Sequence, residues 1–215
     1  MPQRRALIDI DFTRITPAEA YKLQIGSIVP RPIAWVSTVS AQGFHNLAPF
    51  SYFNGICSNP PALLFCPVNH PDGREKDTLR NIRETGEFVV NIATEDLIVP
   101  MNQSSGDYPP GHSEFAAAGV TPVAGTVVKA PRVAESPVQF ECRLLQIVDV
   151  GTGGNAGHVV IGRIVYGHVA PAVYRDGRVL LEALKPVARY AGATYGPVRD
   201  TFDLPRPVIE RTPPD

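Results

Sequence analysis

The stretch Glu75–Ile92, EKDTLRNIRETGEFVVNI, reads as a short helix opened by Lys-Asp-Thr, a glycine stop at Gly86, and a strand, EFVVNI. Its opening is chemically odd. A helix start presents unpaired N–H groups and the positive end of a dipole, so acidic or hydroxyl side chains ordinarily serve there. Lys76 beside Asp77 and Thr78 makes sense if the turn holds something more negative than a side chain, such as a phosphate. Taken alone, the plainer reading is the better one: Asp77 or Thr78 is a routine N-cap, and Lys76 is a solvated side chain.

Working outward, the same alternation of short helix and strand gives way to strand after strand. TPAEAYKLQIG predicts a helix capped by Thr16, with Pro17 at its first position and Gly26 at its exit. PIAWVSTV, the turn SAQG and a return strand from Phe44 towards Phe53 form a hairpin, which SNPP ends, and ALLFCPV is a third strand. Beyond Ile92, ATEDLIVPMNQ is helix-prone, SSGDYPPG is a loop, and HSEFAAAG is a short helix with Ser113 as cap and Gly119 as stop. PVQFECRLLQIVDVG and GHVVIGRIVYGHVA, joined by TGGNA, predict a long hairpin, and the Asp-Gly of VYRDGRVL predicts a short one. About seven strands with a few short helices, not alternating as βαβ units, argue for an antiparallel barrel or sandwich. The proline-rich end, residues 197–215, reads as an extended arm, and residues 1–24 as an arm and a short helix.

Composition excludes several roles. The 215 residues carry 20 basic and 21 acidic side chains, net charge −1, with no basic stripe for nucleic acid. No apolar run is long enough to span a membrane as a helix, and MPQRRALIDIDF has no apolar core of a secretory signal. Cys57, Cys66 and Cys142 are odd in number and widely spaced, which fits a reducing cytoplasm and no zinc site. His158 and His168, ten residues apart, read as ordinary strand residues and not as metal ligands. GTGGNAG lies between predicted strands, the wrong context for a dinucleotide fingerprint.

The first hairpin adds chemistry to the Lys-Asp-Thr turn. WVSTV places Ser37 and Thr38 near the end of an apolar strand, and HNLAPFSYF places Asn46, Ser51 and Tyr52 on the returning one. Pro49 cannot donate to a ladder, so the strand is interrupted or at an edge there. Such a strand exposes N–H and C=O groups that can bond the polar rim of a flat heterocycle. On pattern alone, an ordinary hairpin with hydroxyls facing water is the better reading.

Taken together, PRPIAWVSTVSAQGFHNLAPFSYFNGICSNPP, KDTLRNI, GEFVVNI, the two long strands and the Arg-x-x-Gly-x-x-Tyr of LKPVARYAGATY resemble the flavin reductase-like, FMN-binding split-barrel family, in the family's order from Ile25 to Tyr195. The resemblance implies a mainly β fold, an antiparallel, Greek-key-like split β-barrel over residues 25–196. It also implies a homodimer with FMN near the subunit interface. It puts the phosphate on Ser37, Thr38, Lys76, Asp77 and Thr78. Asn46, Leu47, Ala48, Pro49, Ser51 and Tyr52 would line the isoalloxazine, Arg31 and Trp35 would contribute from the ring or ribityl side, and Arg189 and Tyr195 would close the site. Two features depart from the family: Arg163 follows Gly162 where many relatives carry a glutamate, and HPDGRE before Lys76 gives an unusual approach.

The implied activity is an NAD(P)H-dependent flavin reductase, passing hydride from NADH or NADPH to FMN, with a monooxygenase or another electron acceptor as partner. The alternatives are a flavoredoxin-type electron carrier reduced by another protein, and a non-redox binding module. Flavin chemistry needs no side-chain base, so no catalytic residue is nominated; His45 is the titratable candidate beside the ring-lining segment.

Overall fold

The computed structural model describes residues 6–109 and 111–208, and its principal element is a seven-stranded, wholly antiparallel sheet. The strands are β1 (Ala34–Val39), β2 (His45–Phe50), β3 (Phe53–Ser58), β4 (Pro61–Phe65), β5 (Glu87–Ile92), β6 (Val138–Val150) and β7 (Gly157–Val169). Their order is β2-β1-β5-β6-β7-β4-β3. β2 and β3 follow each other in sequence yet end the sheet on opposite sides, so the barrel is split between them. The expected mainly β, antiparallel split barrel is what forms.

The return strand expected from Phe44 to Phe53 is two strands, broken at Ser51-Tyr52, where the chain crosses from one edge to the other. SNPP does end β3, but it also makes the next turn, with Ser58 paired to Pro61. Pro49 sits in β2, an edge strand, where a residue without an N–H costs no ladder bond.

All six residues of β1 are buried, because each face of the strand meets a different core. Side chains alternate across a strand. Ala34 and Val36 point into the barrel with Phe65, Leu79, Ile82, Phe88 and Val160, while Trp35 joins Leu47, Met101, Phe115 and Val187 outside. Phe88 crosses the barrel so closely over Gly162 that a Cβ there would stand 2.3 Å from its ring. Arg163, next in β7, is exposed and lies opposite Arg143 and Ala62.

Short helices plug and cover this frame. α1 (Pro17–Ser27) begins with a complete capping box: Glu19 N–H donates to Thr16 Oγ1 at 3.3 Å, and Thr16 N–H donates to Glu19 Oε2 at 2.8 Å. α2 (Asp77–Thr85) closes one barrel end with Leu79 and Ile82 and stops at Gly86, left-handed at φ 70°. α3 (Ile98–Gln103) and α4 (Glu114–Ala118) lie over the outer core. Ser113 holds the N-cap position of α4, but its side chain makes no capping bond. Asp176 and Gly177, both at positive φ, turn the short hairpin as predicted. The C-terminal arm is pinned by Val198 N–H to Pro186 C=O and by the Arg199–Glu95 ion pair. It then runs exposed to 208, its last residues lying outside those described.

Candidate functional site

The helix start that opened the sequence reading differs from expectation in one respect. Lys76, not Asp77 or Thr78, holds the N-cap position, and it makes no capping bond. Lysine has donors only, so it cannot accept an N–H. Lys76 C=O accepts from Leu79 and Arg80, but the N–H groups of Asp77 and Thr78 find no acceptor among the described residues. Asp77 is occupied sideways, pairing with Arg80 at 2.7 Å.

These groups face a cleft of about 450 Å³. Its other walls are Asn46, Ala48, Pro49 and Phe50 of β2, the approach loop with His70 and Arg74, the Ser104–Tyr108 loop after α3, and Glu114 of α4. Three lysine or arginine side chains line it. Arg74 pairs with Asp72 and Arg80 with Asp77, both at 2.7 Å, whereas Lys76 has no carboxylate partner among the described residues. The Lys76 Nζ instead stands 3.3 Å from His70 Nδ1.

Two amide–hydroxyl bonds fix α2 against the sheet. Asn46 Nδ2 donates to Thr78 Oγ1 at 2.9 Å, and Asn81 Nδ2 donates to Thr38 Oγ1 at 3.0 Å. Because the Thr78 hydroxyl accepts from Asn46, its own hydrogen is available to a ligand in the cleft.

A smaller cleft of about 210 Å³ continues the first, sharing Pro49 and Ser105 as its wall. It is lined by Tyr21, Arg31, Ser51, Asn102, Arg189 and Tyr195. The Arg189 guanidinium lies 4.2 Å over the Tyr195 ring, and the Tyr195 hydroxyl donates to Asn102 Oδ1 at 3.2 Å. Arg31 is spent holding this end together: it donates to Ile25, Ile28 and Tyr190 carbonyls at 2.9–3.0 Å and is 5% exposed.

The trough thus brings together Arg31, Asn46, Ala48, Pro49, Ser51, Lys76, Asp77, Thr78, Arg189 and Tyr195. Five further candidates lie off it. Consecutive strand residues face opposite ways, so Ser37 and Thr38 cannot both turn to one ligand. Both are fully buried: Ser37 donates to Pro131 C=O and Thr38 is held by Asn81. Trp35 is buried and donates from Nε1 to Ser104 Oγ at 2.9 Å, positioning the loop that walls the cleft. Leu47 is core, and Tyr52 lies under Arg31 at 5.9 Å. His45 packs edge-on against Phe115, outside the cleft.

His70 and Glu114, which also line the cleft, were given no role from the sequence. Glu114 is 9% exposed, and its Oε2 accepts the Leu47 N–H at 3.0 Å. Burial pushes its carboxyl pKa up. His158 and His168 hydrogen-bond Asp149 and Glu141 at 2.6 and 2.7 Å, and no cluster that could hold a metal occurs among the described residues.

The donor set fits the phosphate end of a flavin mononucleotide: an unpaired ammonium, a free hydroxyl hydrogen and two unbonded helix N–H groups at one end of a trough with an apolar strand wall. An antiparallel split barrel with an uncapped helix start facing a cleft defines the class. The chain belongs to the flavin reductase-like family: the flavin reductase like domain matches residues 25–185. It is 43% identical over 195 residues to an uncharacterized protein of Halalkalibacterium halodurans, covering 90% of this chain and 93% of that one. Among solved structures, nitrilotriacetate monooxygenase component B of Bacillus cereus superposes with TM-score 0.89 at 38% identity, covering 94% and 100% of the two chains. The 2-nitrobenzoate 2-nitroreductase of Pseudomonas fluorescens superposes with TM-score 0.84 at 29% identity, covering 95% and 99%.

Proposed function

We propose that this chain binds FMN in the trough and works as an NAD(P)H-dependent flavin reductase. The observation that carries the reading is the uncapped start of α2, with Lys76 unpaired beside it. Lys76, the Thr78 hydroxyl and the Asp77 and Thr78 amides hold the phosphate. Asn46 keeps the Thr78 hydroxyl aimed, and Trp35 steadies the loop opposite. Ala48, Pro49 and Phe50 lie along the ring, with the Arg189–Tyr195 stack closing the far end. Flavin held there would supply the redox chemistry, hydride acceptance from a nicotinamide, while these residues bind and orient it.

Similarity to a monooxygenase component supports a partner that consumes reduced flavin. No described helix is long and apolar enough to cross a membrane. A homodimer is part of the proposal: Leu7, Ile8, Phe202, Leu204 and Val208 stand more than four-fifths exposed on the two arms, apolar surface that a second copy would cover. Sedimentation of the whole chain and of one ending at Pro197 checks this; a truncated chain that stays dimeric with unchanged melting removes the arm from the interface.

The deciding experiment is anaerobic. FMN-saturated protein is mixed with NADH, then NADPH, and the yellow flavin absorbance is followed. Fast bleaching names the donor. No bleaching by either, with dithionite still able to reduce the bound flavin, overturns the reductase reading in favour of a carrier reduced by a protein partner.

A further inference from the structure

The loop before α2 presents a histidine that the FMN reading leaves unused. His70 lines the cleft, its side chain 14% exposed, with Nδ1 3.3 Å from Lys76 Nζ. An ammonium only donates, so the Nδ1 lone pair accepts and the ring is neutral, with its proton on Nε2. The loop is built, not loose. His70 N–H donates to Arg74 C=O and Gly73 N–H to His70 C=O, both at 2.9 Å. Behind it, Asn69 Nδ2 donates to Gly153 C=O at 3.1 Å, and Asn69 Oδ1 faces His158 Nε2 at 2.9 Å. Pro71 C=O packs so tightly on Gly154 that a Cβ there would stand 2.2 Å away. The tip of the β6–β7 hairpin therefore holds His70 at the cleft.

A phosphate arriving at Lys76 changes what His70 faces. The oxygens of a phosphate dianion accept and do not donate, so a ring with its proton on Nε2 would meet them lone pair to lone pair. With Nδ1 protonated, the same atom donates a charge-assisted bond. Asp107 Oδ1, 3.9 Å from Nδ1, favours the imidazolium; Lys76 Nζ, 3.3 Å away, opposes it. Asp72 is taken by Arg74, and Asp77 by Arg80. A phosphate dianion adds the negative charge that favours the imidazolium over the neutral Nδ1–H ring.

We propose that His70 is a second ligand of the flavin phosphate and takes up a proton from solvent as the phosphate binds. This rests on the FMN reading above. It makes the approach loop, HPDGRE, a proton-linked part of the binding site.

Titration calorimetry of FMN into the whole protein, in buffers of different ionisation enthalpy at pH 7.5, counts the protons. The wild type takes up a proton, or a large fraction of one, and its FMN affinity rises as pH falls from 8.5 to 6.5, by up to about tenfold per pH unit. His70→Gln keeps an acceptor for Lys76 but cannot ionise; it binds FMN more weakly, with no proton uptake and a flat pH profile. Riboflavin, which lacks the phosphate, gives no uptake in either protein. FMN binding without proton uptake in the wild type overturns the role of His70 and leaves the flavin reading standing. Uptake that persists in His70→Gln does the same. Absence of FMN binding at every pH overturns the flavin reading and this inference together.

Discussion

Two helices of this chain begin in opposite ways. α1 satisfies itself: Thr16 and Glu19 exchange hydrogen bonds across the first turn, and the start lies exposed in water. α2 begins at Lys76, which can accept nothing, and the Asp77 and Thr78 amides open onto a cleft. Water could serve an exposed start such as that of α1 at little cost, yet the sequence caps it. Of these two starts, the uncapped one faces a cleft. On the FMN reading proposed above, the difference separates a helix end built for stability from one whose donors await a ligand.

The comparison breaks most visibly at Lys76. Lys76→Ala removes a charge-assisted phosphate contact and weakens FMN binding by about 1.5–3 kcal/mol. Quenching of flavin fluorescence on titration measures it, and unchanged affinity removes Lys76 from the site. The matching change at the other helix start, Thr16→Ala, costs about 1 kcal/mol of folding stability through the lost cap and leaves FMN affinity where it was. Chemical denaturation and the same fluorescence titration read the two effects separately.

Much of the fold was legible because local rules agreed with the global pattern. The glycine-joined long strands, the Gly86 stop and the Asp176-Gly177 turn each had one reading, and each forms. The start of α2 was placed a residue late for a physical reason: capping preference selects a hydroxyl or carboxylate, and here the cap position carries neither. Ser37 and Thr38 illustrate a different limit. The family resemblance put both on the phosphate, but a strand sends neighbours to opposite faces, and β1 has a core on each side. HPDGRE was flagged as an unusual approach and SSGDYPPG as a loop, but nothing local assigned His70, the Ser104–Tyr108 loop or Glu114 to the cleft. They become site residues because α3 and α4 fold over the edge strand and the β6–β7 tip braces the approach loop, contacts that no short window contains.

A sharper version of the comparison converts one helix start into the other. Lys76→Ser supplies the missing acceptor to α2 and raises stability by about 0.5 kcal/mol, at the low end of capping effects. The same change loses FMN affinity as Lys76→Ala does. Thermal melts without flavin and titrations with it measure the opposed effects; a variant that gains no stability shows that the amides of Asp77 and Thr78 are already well satisfied by water.

The start of α4 gives the smallest effect and a test of sign. Glu114 sits in its first turn, turned away from capping to accept the Leu47 N–H of edge strand β2. Burial raises its carboxyl pKa, so the folded protein holds this proton more tightly than the unfolded chain. Between the ordinary carboxylate value and the raised one, the folded state carries more protons, and stability falls as pH rises through that window. Glu114→Gln keeps an oxygen for Leu47 and removes the ionisation. Its melting temperature exceeds that of the wild type at pH 8, and the gap narrows as pH falls towards the ordinary carboxylate value. A gap that widens on acidification means that the Glu114 carboxylate is stabilised by its surroundings in the cleft.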